Sequence, residues 1–231
     1  GFPLDIHHGI PYYFLMPVRT IPLATDEYYH IYNRGVARQP VFSKKYDYEH
    51  FLTTISYYRF AQPPMRLSLF LELAEPIREG TLKRLETTER LVDIVCFVLM
   101  PNHFHLLIKQ RSADGISTFI RKSINSYSRY FTTKYSRPGA LFQGVFKAVR
   151  VESDEQLLHL SRYIHLNPLV SFIVREKDFL SYPWSSLPEY LTGKPHLVDP
   201  MPIMEHFKTR HAYTQFVLNQ ADYGKNLESI N

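Results

Sequence analysis

Cysteine is almost absent from this sequence of 231 residues, which contains a single one, Cys96. One thiol cannot form an intramolecular disulfide, and it excludes zinc sites built from several cysteines. Cys96 lies within the apolar stretch 94–99, where a buried thiol is the ordinary expectation. We therefore expect a reducing, cytoplasmic setting.

Long apolar runs are also missing. No stretch approaches the roughly 20 apolar residues that are needed to cross a bilayer. The early run 10–16 is interrupted by Pro11 and has no basic residues leading into it. We expect neither an export signal nor a membrane anchor.

What is present is enough material for a substantial core and an excess of positive charge. Hydrophobic residues make up 45% of the chain and aromatic residues 15%, and a chain of this length can bury a sizeable core. The formal charge of +5 and the isoelectric point near 9.1 favour a polyanionic partner. Tyrosine and phenylalanine rings also offer faces on which unpaired bases can stack.

The chain is predicted to divide into a central domain with two extensions. Residues 1–25 lack periodicity and contain several prolines, which predicts an irregular arm. Residues 26–190 form the main domain, in which the proline-bounded and highly charged segment 61–90 is an insertion with short helices. Residues 191–231 are a C-terminal extension that we expect to be helical.

The predicted fold class is α+β, with a central antiparallel sheet of four to five strands and helices packed mainly on one face, as in ferredoxin-like or RNA-recognition-like domains. Strands are predicted over 28–32, 91–99, 103–109 and 141–151. The apolar strand 91–99 is expected to be central. Helices are predicted to start near Asp47 as N-cap, to follow Gly115, and to run from the Ser153 cap until Pro168 stops the last one.

Two histidines open the predicted strand 103–109. His103 and His105 share one face of an extended strand, while Phe104 lies on the other, because successive side chains alternate. Two imidazoles on one face can bind one cation. The same pair can also be solvated or hydrogen-bonded, so these residues alone leave the choice open.

The last predicted helix carries a second polar pair. Tyr163 and Asn167 are four residues apart and hence lie on nearly the same face, one turn from each other. His165 lies well around the helix from Tyr163, which favours a structural role for this histidine. A tyrosine and an amide at a helix end are, by themselves, also common as structural residues.

Basic and polar residues near strand ends and on one helix flank are candidates for contacts with a nucleic-acid backbone. Each of them can equally be an ordinary solvated surface residue. Asn33 and Arg34 follow the first strand. Three candidates lie on the flank of the helix after Gly115: Arg121, Lys122 and Arg129. Lys147 and Arg150 belong to the fourth strand.

Taken together, these motifs resemble a known family. The stretch MPNHFHLLI resembles the His-hydrophobic-His signature of the HUH single-tyrosine transposases, and RYIHLNP resembles the tyrosine helix of their REP-associated branch. The segments HIYNRG and YPWSS extend the likeness, in the expected order, from about residue 28 to 190. The resemblance implies that His103, His105 and Asn167 are metal ligands and that Tyr163 is the nucleophile.

The resemblance further implies a metal-dependent enzyme that cleaves and rejoins single-stranded DNA near hairpins through a 5′-phosphotyrosine intermediate. Two imidazoles and one amide are neutral ligands, so Mg²⁺ or Mn²⁺ would keep its full charge for phosphate oxygens. No ATP is required, and no phosphate-cradling glycine loop is found in the sequence. The implied protein is prokaryotic and nucleoid-associated, without a membrane partner, and acts as a monomer or homodimer.

Other interpretations remain open at this point. The same fold could bind single strands by stacking alone, as a non-catalytic module or a domesticated DNA-binding regulator. A metal-dependent phosphodiesterase that uses water is a further alternative, although no carboxylate base is obvious beside the histidine strand. Tyr127 and Tyr130 are rival nucleophiles on the preceding basic helix.

Overall fold

The computed structural model describes residues 23–219 of the chain. The predicted arm 1–25 thus lies largely outside the described residues. The elements follow in this order: β1 (Tyr28–Arg34), a 3₁₀ turn (Val36–Arg38), α1 (Lys45–Tyr58), α2 (Leu67–Glu72), α3 (Glu75–Glu86), β2 (Val92–Met100), β3 (His103–Gln110), α4 (Gly115–Tyr135), β4 (Lys147–Arg150), α5 (Asp154–Val170), α6 (Glu176–Phe179), α7 (Leu187–Thr192), α8 (Met201–Met204) and α9 (Arg210–Leu218).

The centre of the fold is a four-stranded antiparallel sheet in the order β2-β3-β1-β4. The α+β class predicted from the sequence is confirmed. The expectation that the apolar strand β2 is central is wrong, because β2 is at one edge of this strand order. Its apolar residues are nevertheless buried, since the segment around Ser185 pairs with Val98 and covers that edge.

Helices lie on both faces of the sheet, not mainly on one as predicted. On the first face, Phe51 of α1 packs against Phe104 of β3, and α4 packs on α1 through Tyr127. On the second face, Tyr163 of α5 packs against His105 of β3. We call this second side the histidine face. Strand β2 is buried on both sides, which is the physical reason that it contains a single charged residue, Asp93.

The turn between β2 and β3 is held against the end of β1. The amide of Gly35 donates a hydrogen bond of 2.8 Å to the Asn102 carbonyl, and the amide of Val41 donates one of 2.8 Å to the Pro101 carbonyl. A Cβ atom on Gly35 would overlap the carbonyl oxygen of Gln39. Only glycine allows this close approach, which fixes the start of β3 and therefore the position of its histidines.

Helix α5 begins as predicted and ends slightly later. The Ser153 hydroxyl accepts a hydrogen bond of 3.2 Å from the Gln156 amide, and Gln156 Oε1 accepts one of 2.9 Å from the Glu152 amide. The prediction that Pro168 stops the helix is wrong, because α5 continues to Val170. Proline removes one hydrogen-bond donor, and so close to the helix end that loss interrupts little of the helix.

Two further boundaries differ from those predicted. Asp47 is not the N-cap of α1, which starts at Lys45; instead its carboxylate accepts hydrogen bonds from the backbone amides of Ser43 and Lys44, at 2.9 and 2.8 Å. Strand β4 is limited to Lys147–Arg150, and Gly144, with a φ of +59°, interrupts the extended conformation within the predicted range 141–151.

The inserted segment and the C-terminal part are helical where they are described. The segment 61–90 contains α2 and α3. Beyond residue 191, α9 packs on α5, and Tyr213 is fully buried between them. Within residues 23–219, none of the helices combines the length and the apolar character that a membrane span requires.

Candidate functional site

Two histidines of β3 define the candidate site. His103 and His105 both point to the histidine face, and their ring centroids are 5.0 Å apart with the planes perpendicular. Opposite them on β1 are Arg34 and Tyr32, which therefore share this face. The alternation expected for a strand thus brings both imidazoles to one place.

The protonation pattern of His103 follows from its neighbour Asn102. Nδ1 of His103 lies 2.6 Å from the Asn102 side-chain oxygen, while the Asn102 side-chain nitrogen donates to the Arg38 carbonyl at 3.2 Å. The Asn102 oxygen can only accept, so Nδ1 of His103 must donate. In the neutral ring this leaves the lone pair on Nε2, which is the atom a metal ion would use.

His105 has a second histidine as its neighbour. Nδ1 of His105 lies 2.8 Å from Nε2 of His30 on β1, and the two rings are stacked with centroids 5.0 Å apart. His30 is buried, with 5% of its surface exposed. One of the two nitrogen atoms must donate the hydrogen of this bond and the other must accept it.

All three histidines of the face are held in the neutral form. Burial lowers the pKa of His30 to about 3. Burial, and then the charge of Arg34, lower the pKa of His103 to about 4, while Asn167 acts in the opposite direction. Burial, followed by His30, His103 and Arg34, lowers the pKa of His105 well below its ordinary value. Neutral imidazoles are the form that binds metal ions.

Helix α5 places its polar pair over these histidines. The Tyr163 ring lies edge-on to His105, with centroids 5.5 Å apart, and edge-on to His30 at 6.1 Å. Tyr163 is 36% exposed, so part of this residue is open to solvent. One turn later, Asn167 is buried and is a side-chain neighbour of His103. The geometry thus brings together the four residues predicted as ligands and nucleophile.

These residues fit a metal ion with oxygen and nitrogen ligands. The side-chain oxygen of Asn167 is buried without a hydrogen-bond partner among the described residues, an arrangement that is costly unless a ligand is bound there. It adjoins His103, whose Nε2 carries a lone pair. No group of three or more His, Cys, Asp or Glu side chains within residues 23–219 could hold a metal, so an amide would have to complete the ligand set.

The rival tyrosines lie on the opposite side of the sheet. The Tyr127 hydroxyl is buried and donates to the Val41 carbonyl, and burial raises its pKa far above the ordinary value. Tyr130 is hydrogen-bonded to Asp47 and Lys134. Neither hydroxyl belongs to the histidine face.

A different tyrosine does share that face. Tyr32 is half-buried, and its ring centroid is 5.7 Å from that of His105. Burial raises the pKa of Tyr32, which disfavours its phenolate form. Sequence reasoning did not identify Tyr32, because its placement depends on the register between β1 and β3.

His165 is structural, as predicted. Its Nδ1 is hydrogen-bonded to the Tyr213 hydroxyl at 2.6 Å, and its Nε2 to the Ser186 hydroxyl at 2.8 Å. Both ring nitrogens are therefore used inside the core, and neither is free to bind a metal ion.

The predicted nucleic-acid contacts are distributed over both sides of the sheet. Arg34 and Lys147 share the histidine face, because Arg34 is opposite His103 and Lys147 is opposite Tyr32. Arg150 points to the other side and forms an ion pair with Glu27 at 2.6 Å.

The remaining candidates are not brought to the histidine face. Asn33 is buried opposite Phe104, and its side-chain oxygen accepts from the Arg34 amide at 2.8 Å. Arg121, Lys122 and Arg129 belong to α4, on the first face of the sheet. A contact of these residues with nucleic acid stays a prediction, and it would have to occur away from the histidines.

A family model described as IS200-like transposase matches residues 77–167, a range that includes His103, His105, Tyr163 and Asn167. A search of curated proteins finds no match to the chain. The family match supports a transposase-type function on DNA.

Two solved structures are similar to the chain. A REP-associated tyrosine transposase bound to a REP hairpin matches with a TM-score of 0.52 and 15% identity, over 79% of this chain and 90% of that one. A bacterial tRNA(His) guanylyltransferase-like protein in complex with GTP has a TM-score of 0.34 and 10% identity, over 70% and 69% of the two chains. The second likeness is too distant to carry an argument. The first shows a shared fold. The family model matches the transposase class that the sequence motifs resemble, over residues 77–167.

Proposed function

We propose that this chain is a metal-dependent transposase or endonuclease of single-stranded DNA, which cleaves and rejoins strands near hairpins with Tyr163 as nucleophile. The observation that carries the proposal is the position of Tyr163 against the ring of His105, one helical turn before Asn167, which adjoins His103. A family match to IS200-like transposases supports the DNA-processing class.

The proposed metal ligands are Nε2 of His103, a ring nitrogen of His105 and the side-chain oxygen of Asn167. A bound Mg²⁺ or Mn²⁺ would supply a Lewis acid for phosphate oxygens. Because all three ligands are neutral, they would leave the charge of the ion undiminished. Imidazole ligands suit Mn²⁺ better than Mg²⁺, which prefers oxygen.

In the proposed reaction the Tyr163 oxygen attacks a phosphodiester of the bound strand. The bond between phosphorus and this oxygen forms as the bond to the 3′ oxygen breaks; the phenol proton passes to solvent, and the 3′ oxygen takes up a proton. The products are a 5′-phosphotyrosine and a free 3′-hydroxyl. Attack by a 3′-hydroxyl reverses the step and rejoins the strand, and the covalent intermediate conserves the phosphodiester energy.

The DNA strand is proposed to run over the histidine face. Arg34 and Lys147 carry positive charge on that face: Arg34 lies two residues along β1 from Tyr32, and Lys147 lies opposite Tyr32 on β4. Guanidinium and ammonium groups there would neutralise phosphates and position the strand without reading its sequence. Exposure of Tyr163 is consistent with access for a strand from the solvent side.

A covalent-adduct assay tests the proposal. A pool of single-stranded oligonucleotides, each with one hairpin and randomised unpaired flanks, is labelled at the 3′ end, because the proposed adduct retains the 3′ part of the strand. With Mn²⁺ the wild type should yield a labelled protein band that survives denaturant, and EDTA should abolish it. Tyr163→Phe should bind the pool without forming the band.

Tyr32→Phe is the matched control, because it removes a hydroxyl from the same face while leaving Tyr163 in place. It should retain the adduct. An adduct that persists in Tyr163→Phe would reject the nucleophile assignment. Binding of the pool by the wild type without any adduct, at any metal concentration, would instead favour a non-catalytic single-strand-binding module.

A further inference from the structure

The hydrogen bond between His30 and His105 has a consequence for metal binding that depends on which ring holds the proton. It joins Nε2 of His30 to Nδ1 of His105 at 2.8 Å, between residues that are 75 positions apart in the chain. The other ring nitrogen of His30, Nδ1, is buried and has no hydrogen-bond partner among the described residues. This inference rests on the proposed function of the same site.

Two proton arrangements of a neutral histidine pair satisfy this bond. If His30 donates, Nδ1 of His105 accepts and Nε2 of His105 carries the ring proton, so that His105 cannot bind a cation through either nitrogen. If His105 donates, its Nε2 keeps a lone pair, and His30 must carry its own proton on Nδ1. Only the second arrangement permits His105 to be a metal ligand.

We propose that His30 is a positioning residue, which accepts the Nδ1 hydrogen of His105 and so directs the Nε2 lone pair of His105 toward the metal site. Asn102 does the same for His103 through its side-chain oxygen. Nδ1 of each of the two histidine ligands thus donates a hydrogen bond to its own acceptor. Such partners fix the ring orientation and raise the basicity of metal-ligating histidines.

The strand register explains why His30 can fill this role. His30 and Tyr32 are alternate residues of β1 on the histidine face, and Tyr32 is the residue directly opposite His105. His30 is therefore diagonal to His105, and its stacked ring reaches Nδ1 of that residue. Burial of both rings excludes water from competing for the bond.

Nuclear magnetic resonance of the metal-free full chain tests the proton arrangement directly. Long-range ¹H–¹⁵N correlations of the histidine rings at neutral pH distinguish Nδ1–H from Nε2–H tautomers. We expect His105 and His30 both to show Nδ1–H. An Nε2–H tautomer at His105 would overturn the proposal, whatever the activity of the protein.

Mn²⁺ affinity, measured from the free-ion signal in electron paramagnetic resonance, tests the consequence. His30→Leu removes the acceptor and should weaken Mn²⁺ binding by about 10-fold or more. His30→Gln offers a side-chain oxygen in its place and should bind Mn²⁺ more tightly than His30→Leu. Val98→Ala is the matched control, because Val98 is buried beside His105 on β2 and makes no such hydrogen bond.

The outcomes separate this inference from the proposed function. Equal Mn²⁺ affinity of the wild type and of His30→Leu would overturn the positioning role and leave the metal site intact. An equal loss in Val98→Ala would also overturn it, since loosened packing would then explain the effect. If the wild type does not bind Mn²⁺, the proposed metal site is wrong. The tautomer of His105 in the metal-free chain still shows whether His30 accepts the Nδ1 hydrogen of His105.

Discussion

Affinity for Mn²⁺ should hardly change between pH 8 and pH 6, because the proposed ligands are already neutral at pH 6. Burial and the charge of Arg34 lower the pKa of His103 to about 4, and the pKa of His105 is lowered well below its ordinary value. With a pKa of about 4, roughly 99% of His103 is deprotonated at pH 6. Protons therefore compete little with the metal in this range.

Histidines with ordinary pKa values would behave differently. At a pKa of about 6.5, each ring is roughly one quarter neutral at pH 6, so a site that needs two neutral rings would lose about 15-fold in affinity relative to pH 8. Mn²⁺ titrations of the metal-free protein at pH 8, 7 and 6 distinguish the two cases. A loss approaching that size would refute the argument that the site is buried and neutral.

Three further predictions concern stability, reactivity and DNA binding. Asp47→Asn should lower the free energy of unfolding in urea by about 2 kcal/mol or more, because the buried carboxylate accepts a charged hydrogen bond from Lys134 at 2.6 Å; unchanged stability would count against that bond. Cys96 should react with a thiol reagent only after unfolding, since burial raises the pKa of its thiol, and fast labelling of the native chain would contradict its burial. Arg34→Ala combined with Lys147→Ala should lower the salt dependence of single-strand binding by up to about 1.4 in the log–log slope, whereas an unchanged slope would remove these residues from the DNA path.

Strand alternation and helical periodicity are sufficient to predict which side chains of the candidate site share a face. Strand alternation places His103 and His105 on one face, and helical periodicity places Tyr163 one turn before Asn167. The same periodicity turns His165 away from the site, where both of its ring nitrogens are hydrogen-bonded in the core. Each of these conclusions depends only on residues within a few positions of one another.

The remaining features depend on contacts between distant parts of the chain. His30 reaches His105 because β1 is next to β3 in a defined register, and no local pattern specifies that pairing. Tyr127 is excluded as the nucleophile only by the side of the sheet on which α4 packs. Periodicity shows that a helix has a buried face, without identifying the surface that buries it.

The structure also differs from the sequence predictions in the position of β2 within the sheet and in the end of α5. The apolar composition of β2 suggested a central strand, whereas the chain segment around Ser185 covers its edge. Burial on both sides gives the same composition in either case. Pro168 was expected to end α5, yet a proline close to the end of a helix costs only one hydrogen bond and the helix continues to Val170.

Identification of the residue that carries the DNA tests the central claim most directly. The denaturant-resistant adduct is digested with nuclease and trypsin, and the modified peptide is sequenced by mass spectrometry. We expect a nucleotide phosphate on Tyr163, in a peptide whose cleavage sites are Arg162 and Arg175. A phosphate on Tyr32 or on any other residue would contradict the assignment of Tyr163 as the nucleophile.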